Sequence, residues 1–587
     1  MVLLPVIFAV LCQPGVKPDV KGDGNEAGAA WIKANAVAFS TSEAGHGFDD
    51  LKGLDAIVGD ARIVSLGEQT HGTREAFQMK HRLLEYLVEK KGFSIFSIEA
   101  NMPEAYALNE YVVEGKGDPK ALIGGMYFWT WNTHEVLGMV EWMRAWNQKH
   151  PATPEHPALT FTGFDMQTPD VAAKIVVDFV SAHAADMKEK VAKSNEDVKK
   201  LTQQAPGEAG PFASATGTFP VEAARGKKMH LSAWIRTQGV KEWAGVWWRC
   251  DTPGGVKGFA NMQEEKISGD TEWARHEFTI DVPLDTVNIS FGCLLSGEGT
   301  AWFDDLEIEL DGVKYEDPKR FSFDFENDAV RYLSMANPGF AVARSKAEPH
   351  GGTTCLELRK KPEEAGERVD GVAVSRAAKK TADELIARRE ELVKASSAKE
   401  ADWAIQNAKV VAQCASMFVN IQTGFNLRDR SMAANVQWIL EQNPGQKIVL
   451  WAHNGHVSRA GYMGMNSMGG HLSRKYGKEM VVFGFATGTG KYTAGTDGGL
   501  KSDNELEAPS PESVEGVFAL AGLPRAIVDL RKASKDDAGS SWATMARPMR
   551  SIGAVAMASQ FYPCTVQESY DVLVWQEATT ASRPLGK

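Results

Sequence analysis

Cysteines are few in this sequence of 587 residues, and none form a CxxC pair. The six are Cys12, Cys250, Cys293, Cys355, Cys414 and Cys564. Zinc-ribbon and thioredoxin-type sites use paired cysteines of that kind, so neither type is supported. In an oxidising compartment Cys250 and Cys293 could form a disulfide, because both lie in or beside predicted strands of one region.

The sequence also lacks an apolar run of the ~20 residues that a membrane-spanning helix requires. The run from Val2 to Cys12 is shorter and resembles the hydrophobic part of a secretory signal, although no basic residue follows Met1. We therefore expect residues 1–20 to be a signal peptide that exports the protein to the periplasm or the medium. Lipidation at Cys12 is less expected, because Ala9-Val10-Leu11 fits the lipoprotein pattern poorly; a misassigned start codon is the alternative.

Basic stretches are missing as well. The chain has 64 Lys and Arg against 76 Asp and Glu, a net charge of −12, and its lysine runs are only dipeptides such as Lys90-Lys91. An acidic surface repels a phosphate backbone, so we predict no nucleic-acid partner. The other proportions, 43% hydrophobic and 24% charged, are those of a globular enzyme. The length exceeds the ~250–300 residues of one hydrophobic core, which predicts more than one domain.

Short apolar runs alternate with helical patterns in two separate regions of the chain. They are 62–66, 94–98 and 158–161 in the first region, and 447–451, 480–485, 526–530 and 570–575 in the second. Continuous apolar strands are typical of a sheet buried on both faces. A helix follows the first run, with Thr73 as its cap, an apolar stripe from Ala76 to Leu87, and Gly92 at its end. The pattern predicts an α/β fold with a largely parallel sheet covered by helices.

The segment between the two regions has a different pattern. From about Gly210 to Leu310 apolar and polar residues alternate in short runs separated by turns rich in Gly, Pro and Asp, which predicts an antiparallel β-sandwich. The segment resembles jelly-roll, carbohydrate-binding-module-like domains, notably at Trp302 to Leu306. Two strands that normally begin such modules follow the others here, at 323–326 and 350–358, so we interpret the insert as circularly permuted; a second, truncated module is the alternative.

These patterns give the expected domain boundaries. Residues 27–205 and 371–587 form the two parts of one catalytic domain, and residues 206–370 form the inserted β-sandwich. Trp243, Trp247 and Trp248 of the insert could stack on sugar rings, but we expect them in its core. A glycan contact through the insert is therefore the weaker of the two interpretations.

Ionisable residues follow four of the apolar runs. Glu68 and His71 follow the first run, Glu99 follows the second, Asp165 follows the third, and His453 and His456 follow the fourth. Sites in open α/β sheets form beyond the carboxyl ends of the strands, so we expect these side chains to meet there. Glu68 or Asp165 could instead only cap the following helix. His453 and His456 with the two glutamates could also hold a metal ion.

The same residues carry a family resemblance. The motifs are Gly67-Glu68-Gln69-Thr70-His71-Gly72, Ser97-Ile98-Glu99-Ala100, Trp129-Thr130-Trp131 with Glu135, Gly163-Phe164-Asp165-Met166-Gln167, Arg428-Asp429-Arg430-Ser431-Met432-Ala433 with Asn435, and Trp451-Ala452-His453-Asn454-Gly455-His456-Val457. In this order they resemble the erythromycin esterase family over roughly 30–205 and 376–587. The resemblance implies a metal-independent hydrolase that uses no cofactor.

The resemblance also assigns roles. The family's general base falls on His71, with Glu68 and Glu99 beside it and His453 and His456 opposite. The basic residue of the first helix falls near Lys80, where the family often has Arg, and a lysine cannot reproduce the planar fork of an arginine. Substrate contacts are expected from Lys80, Trp129, Trp131, Glu135, Asp165, Arg428 and Asp429.

The residue types account for such chemistry. A neutral imidazole, with an ordinary pKa near ~6.5, can take a proton from water during attack, while Glu68 or Glu99 holds its tautomer. His453, His456, Arg428 or Lys80 could stabilise the oxyanion. No GxSxG motif surrounds a serine, which disfavours an acyl-enzyme.

The sequence therefore predicts an exported hydrolase that cleaves an ester or lactone in a bulky small molecule, with macrolides as the family's named substrates. Trp129 and Trp131 precede a helix and could line an apolar cleft, although such stripes are usually core. Two alternatives stay open: a metal-dependent hydrolase that uses the same histidines and glutamates, and a non-catalytic surface protein that binds glycan.

Overall fold

The structure is a computed structural model that describes residues 23–203, 212–252, 255–286, 288–318, 320–327, 334–335, 339–361, 369–419, 421–462, 465–496, 499–557 and 560–586. The expected signal peptide, residues 1–20, lies outside the described residues. The chain divides into two compact units, one formed mainly by Ala205–Glu367 and the other by Pro18–Gln204, Arg368–Ala556 and Gln560–Lys587. None of the described helices is both long and apolar enough to cross a bilayer.

The first part of the larger unit alternates strands and helices. Its strands are β1 (Ala36–Ala38), β2 (Ile63–Leu66), β3 (Ile95–Asn101) and β4 (Thr160–Asp165). Its helices are α1 (Asp23–Asn35), α2 (Leu54–Val58), α3 (Arg74–Lys91), α4 (Met102–Glu114), α5 (Pro119–Gly124), α6 (His134–Lys149), α7 (Asp170–His183) and α8 (Lys188–Gln203). Helix α3 ends at Gly92, whose φ of 71° is left-handed and strains no side chain.

The inserted unit is almost entirely strand. Its elements are β5 (Phe212–Thr218), α9 (Val221–Ala224), β6 (Lys228–Thr252), β7 (Gly255–Asn261), β8 (Ile267–Asp281), β9 (Asn288–Ser296), β10 (Thr300–Leu310), β11 (Val313–Lys314), β12 (Ser334–Met335), β13 (Phe340–Ser345) and β14 (Cys355–Lys360).

The second part of the larger unit begins with four helices and then returns to the alternating pattern. Its helices are α10 (Gly371–Ala387), α11 (Arg389–Ala395), α12 (Ala398–Met417), α13 (Ile421–Gln442), α14 (Asn454–Val457), α15 (Met468–Tyr476), α16 (Val514–Ala521) and α17 (Val566–Ser569). Its strands are β15 (Ile448–Trp451), β16 (Met480–Thr496), β17 (Gly499–Glu505), β18 (Arg525–Asp529), β19 (Arg547–Arg550), β20 (Phe561–Cys564) and β21 (Val572–Thr579).

Nine strands of the larger unit form one sheet in the order β1-β18-β21-β16-β2-β15-β3-β4, with β17 paired to β16, and β19 and β20 form a separate two-stranded sheet. Neighbouring strands from β21 to β4 pair in parallel. Strand β18 pairs antiparallel with both β1 and β21. Alternate residues of one strand enter separate hydrophobic cores: Ile448 belongs to one core and Val449 to the other. The prediction of a largely parallel sheet covered by helices is therefore confirmed.

The strands of the insert are antiparallel, and all of them connect into one sheet through the long strand β6. The sequence predicted separate strands at 229–235 and 244–249. The structure joins them, because irregularities in the pairing with β8, between Thr237 and Ala244, let β6 bend without a break. Residues from β5 and β14, such as Ala215 and Leu356, share one core.

Two further predictions concern the segment 323–326 and the tryptophans of the insert. Phe325 lies in the core of the insert and Glu326 accepts a hydrogen bond from the backbone of Thr353, so 323–326 packs within this unit. The circular permutation itself stays a prediction. Trp248 is fully buried as expected, whereas Trp243 and Trp247 are half-buried.

The sequence left open a disulfide between Cys250 and Cys293, and the structure does not pair them. Both thiols are free and buried. Between β6 and β9, Cys250 lies opposite Ile289 and Cys293 lies opposite Val246. An offset of four residues along a strand separates the two by about 13 Å, well beyond the ~7 Å that a disulfide can bridge.

Candidate active site

Three neighbouring strands end side by side at the carboxyl edge of the large sheet. Trp451, the last residue of β15, lies opposite Leu66 of β2 and Ile98 of β3. Because β15 lies between β2 and β3, the residues that follow these three positions meet at one place. They are Glu68, Glu99 and His453, and Asp165 at the end of β4 lies opposite Asn101.

The carboxylate of Glu68 is completely buried and accepts three hydrogen bonds. Nδ1 of His71 lies 2.6 Å from Oε1. Nζ of Lys80 and the indole Nε1 of Trp451 donate to Oε2 at 2.6 and 2.8 Å. A buried carboxylate bound by three such donors is fixed in orientation, so it holds the imidazole of His71 in place.

Lys80 is buried between charged and aromatic groups. Its Nζ lies 4.5 Å from the ring centroid of Trp451, and it also lies 3.4 Å from the carbonyl oxygen of Ala452. Burial lowers the pKa of Lys80 to about 8, although the negative charge of Glu68 opposes this shift. The lysine that replaces the family's usual arginine is thus a contact of Glu68.

Arg428 of α13 links two carboxylates at the edge of the sheet. Its Nη2 donates to Oε1 of Glu99 and to Oδ2 of Asp165, both at 2.7 Å, and its Nε donates to Oδ1 of Asp165 at 3.1 Å. Although burial alone would raise the pKa of Glu99, the positive charges of His456 and Arg428 hold it well below its ordinary value. Glu99 is therefore an anion.

His456 lies among three charged neighbours. Its Nδ1 is 2.9 Å from Oδ1 of Asp429, and its Nε2 is 3.3 Å from Oε1 of Glu99 and 3.0 Å from Nη1 of Arg428. Burial and Arg428 favour the neutral ring, but the two carboxylates outweigh them and raise the pKa of His456 to about 10. At neutral pH this histidine carries a positive charge.

His453 differs from His456 because both of its ring nitrogens are bonded to backbone. Nδ1 accepts from the amide of Gly455 at 3.1 Å, so Nε2 carries the proton that it donates to the carbonyl oxygen of Ile552 at 3.1 Å. Burial lowers the pKa of His453 to about 3, and the neighbouring rings of His71 and His456 act in the same direction. This ring is neutral.

His71 differs from the other two histidines of the cluster in the surroundings of its ring nitrogen Nε2. Its ring centroid lies 5.3 Å from His453 and 5.5 Å from Trp131. No hydrogen bond reaches Nε2 of His71 from any residue that the structure describes, and the side chain is 10% exposed. His71 therefore combines a fixed Nδ1 with an Nε2 that a water molecule can approach.

The resemblance also assigned substrate contact to Glu135, Trp129 and Trp131. The carboxylate of Glu135 is buried against Arg583, whose Nε donates to it at 2.8 Å. Trp129 is half-buried in the turn before α6. Trp131 lies close to His71, but it is almost fully buried, and its indole donates to the carbonyl oxygen of Glu99 at 2.9 Å.

The sequence analysis named Trp451 only as part of a motif, without a role, and did not point to the carbonyl of Ile552. The indole of Trp451 is one of the three donors to Glu68, and Ile552 binds His453. Trp451 ends an apolar strand, where a tryptophan is usually core. Its place directly before Ala452-His453 was the only available signal.

The sequence had also left open a metal site built from the histidines and glutamates of this cluster. Within the described ranges, no three His, Cys, Asp or Glu side chains converge so that they could hold a metal ion. The oxygens of Glu68 and Glu99 face Lys80, Arg428 and N–H groups instead.

A family model described as erythromycin esterase matches residues 88–231 and 330–579 of the chain. Three curated relatives match shorter stretches. An HTH-type transcriptional regulator of Bacillus subtilis that is uncharacterised is 33% identical over 130 residues, 20% of this chain and 44% of its own length. Erythromycin esterase type II of Escherichia coli is 31% identical over 136 residues, 23% of this chain and 31% of its own. A putative hydrolase of B. subtilis is 31% identical over 138 residues, which are 24% of this chain and 29% of its own length. The chain thus spans less than half the length of these relatives.

Solved structures match over nearly the whole chain. A Bacillus cereus protein superposes with a TM-score of 0.60 at 20% identity, over 96% of this chain and 99% of its own. A succinoglycan biosynthesis protein gives 0.57 at 18% identity, over 97% and 100%. An erythromycin esterase mutant in its open conformation gives 0.51 at 13% identity, over 92% and 96%. At these identities the three structures establish the fold.

Proposed function

The chain belongs to the erythromycin esterase family, and on this basis we propose that it hydrolyses an ester or lactone bond in a bulky small molecule. The observation that carries the proposal is the pair His71 and Glu68. Nδ1 of His71 is fixed by a buried carboxylate at 2.6 Å, and Nε2 is left for a water molecule. This is the arrangement of a general base with its orienting acid.

The proposed reaction begins at Nε2 of His71. This nitrogen takes a proton from water as the water oxygen attacks the carbonyl carbon, and the negative charge of Glu68 stabilises the imidazolium that forms. His71 then gives the proton to the leaving oxygen as the tetrahedral intermediate breaks down. The products are a carboxylic acid and an alcohol, so the substrate gains one water in total.

The tetrahedral intermediate carries a negative charge that needs positive neighbours. Arg428 and His456 are both cationic, and the ring of His453 lies 6.5 Å from His456 and 5.3 Å from His71. A positive charge in a water-poor site stabilises an oxyanion far more than it would in bulk water. We assign this role to Arg428 and His456, and assign His453 to holding the Ile552 backbone.

A screen of the wild-type protein tests the proposal. The protein is incubated with a panel of small aliphatic esters, aryl esters, simple lactones and macrolide lactones, and the products are analysed by mass spectrometry. We expect at least one bulky ester or lactone to gain one water. If no ester or lactone of the panel gains water above the enzyme-free rate, the proposed function is contradicted.

We also propose that the insert contacts glycan. It carries an open groove of about 830 Å³ lined by Trp243, Phe259, Asn261 and Gln263, among others. Phe259 is 56% exposed. Aromatic faces beside amide and carboxylate groups suit the apolar faces and hydroxyls of sugars. Calorimetry with neutral oligosaccharides tests this, and loss of the binding heat in Phe259→Ala would support it.

A further inference from the structure

Glu68 has a third donor whose role goes beyond the pair with His71. Oε1 of Glu68 faces His71, and Oε2 accepts from both Lys80 and Trp451. The carboxylate group is planar, so whatever holds Oε2 also sets the direction of Oε1. The orientation of His71 therefore depends on the two donors on the far oxygen.

Of these two donors, the indole of Trp451 is the rigid one. Trp451 is the last residue of β15 and is fully buried, and its ring meets those of Phe77, Phe96 and Trp131 edge-on, with centroids 4.9, 6.1 and 6.0 Å away. A ring packed on three sides cannot change its rotamer without opening the core. Its N–H therefore points at Oε2 in a fixed direction.

Lys80, by contrast, is a point charge on a flexible chain. An ammonium group can rotate and still meet a carboxylate, so it neutralises charge without fixing direction. The ring of Trp451 restrains Lys80 as well, since Nζ lies 4.5 Å from its centroid. Removal of this indole would loosen Glu68 directly and through Lys80.

We propose that Trp451 is a positioning residue for the hydrolytic reaction: its indole N–H and ring face orient Glu68 and Lys80, and through Glu68 they orient His71. The inference rests on the proposed function, because it assigns the residue that holds the general base in place. Trp451 itself lies behind Glu68 and acts only through it.

The test compares two tryptophans of the same sheet. Trp451→Phe keeps an aromatic ring and removes the N–H. Trp575→Phe is the matched control, because Trp575 is also fully buried in β21 and its indole donates at 2.8 Å, but to the carbonyl oxygen of Leu523. Both variants are measured for kcat and KM on an ester or lactone that the wild type hydrolyses.

We expect Trp451→Phe to lower kcat by about 10- to 100-fold, the effect of losing a hydrogen bond to a charged group, with KM changed by less than about twofold. Trp575→Phe should keep kcat within about twofold of the wild type. Equal kcat values for the two variants would overturn the inference, because a merely structural role predicts equal losses.

A second measurement needs no activity. In protein labelled with ¹⁵N-tryptophan, the indole signal missing from Trp451→Phe identifies Trp451. Replacing Glu68 by Gln should move this signal and leave that of Trp575 in place. An unmoved Trp451 signal would overturn the inference even in a protein that hydrolyses nothing, whereas failure of hydrolysis in the wild type would contradict only the proposed function.

Discussion

Nδ1 of His71 lies 2.6 Å from Oε1 of Glu68, and the two residues are only three positions apart in the chain. Both residues lie in the turn between β2 and α3, so the pair is close in sequence as well as in space. What the fold adds is the burial of Glu68 beneath Trp451 and Lys80 from other elements.

Lys80 should limit the activity at alkaline pH. With a pKa of about 8, it is protonated at neutral pH and loses its charge above that value. Glu68 then loses the positive charge of Lys80, and the nearby charge of Glu99 is also negative. We expect the rate to fall as the pH rises through about 8, and Lys80→Arg to move this fall to higher pH, because arginine stays protonated.

The control for Lys80→Arg is Lys447→Arg, whose lysine donates to the carbonyl oxygen of Lys91 away from the site. It should keep the wild-type profile. An alkaline limb at the same pH in Lys80→Arg would contradict the assignment.

His456 should make stability depend on pH. Its pKa of about 10 in the folded protein exceeds the ordinary 6.5, so the folded state holds the proton more tightly than the unfolded chain. The stabilisation is complete below pH 6.5 and is lost as the pH rises from 6.5 to 10. The loss of unfolding free energy in His456→Gln should therefore shrink across this range in urea titrations.

His453→Gln is the control for that series. The pKa of His453 is about 3, so this ring is neutral in the folded protein throughout the same range. Above pH ~7 it is largely neutral in the unfolded chain as well, so its effect should stay constant from about pH 7 upward. A constant difference for His456→Gln would show that Asp429 and Glu99 do not hold a charged imidazole.

Removal of metal ions should leave activity unchanged. The carboxylate oxygens of Glu68 and Glu99 are bound by Lys80, Trp451, Arg428 and the amide of His453, and a cation would have to displace these donors. We expect treatment with a chelator, verified by elemental analysis, to keep kcat within about twofold. Loss of activity that added zinc restores would support a metal-dependent hydrolase instead.

The thiols of Cys250 and Cys293 should be unpaired in the purified protein. The register of β6 and β9 places them opposite different residues. Alkylation in denaturant without reductant, followed by peptide mass spectrometry, should label both. A disulfide-linked peptide containing both cysteines would contradict the register.

The sequence allowed the large sheet, and the edge that carries the candidate site, to be predicted, because apolar strands and the residues that end them are local features. Helix α3 begins after Thr73 and ends at Gly92 as the pattern indicated. The individual contacts between side chains from distant parts of the chain were not predictable. Arg428 of α13 reaches Glu99 and Asp165 across the sheet edge, and no spacing in the sequence records that contact.

Two details that the sequence left open have the same physical origin. Trp451 was predicted only as the end of an apolar strand, and it is fully buried, but its one polar atom points at Glu68. Cys250 and Cys293 were left open as a pair, and they lie in adjacent strands, but four residues out of register. Burial and strand membership can be inferred from a pattern, whereas side-chain direction and register depend on the tertiary pairing.

The most direct test of the central claim compares the kcat of His71→Ala with that of the wild type. His150→Ala serves as the control, because His150 is an exposed histidine at the C-terminal end of α6. If Nε2 of His71 activates water, His71→Ala should lose on the order of 10² or more in kcat. His150→Ala should match the wild type. A His71→Ala protein that is folded and hydrolyses the substrate at the wild-type rate would contradict the account.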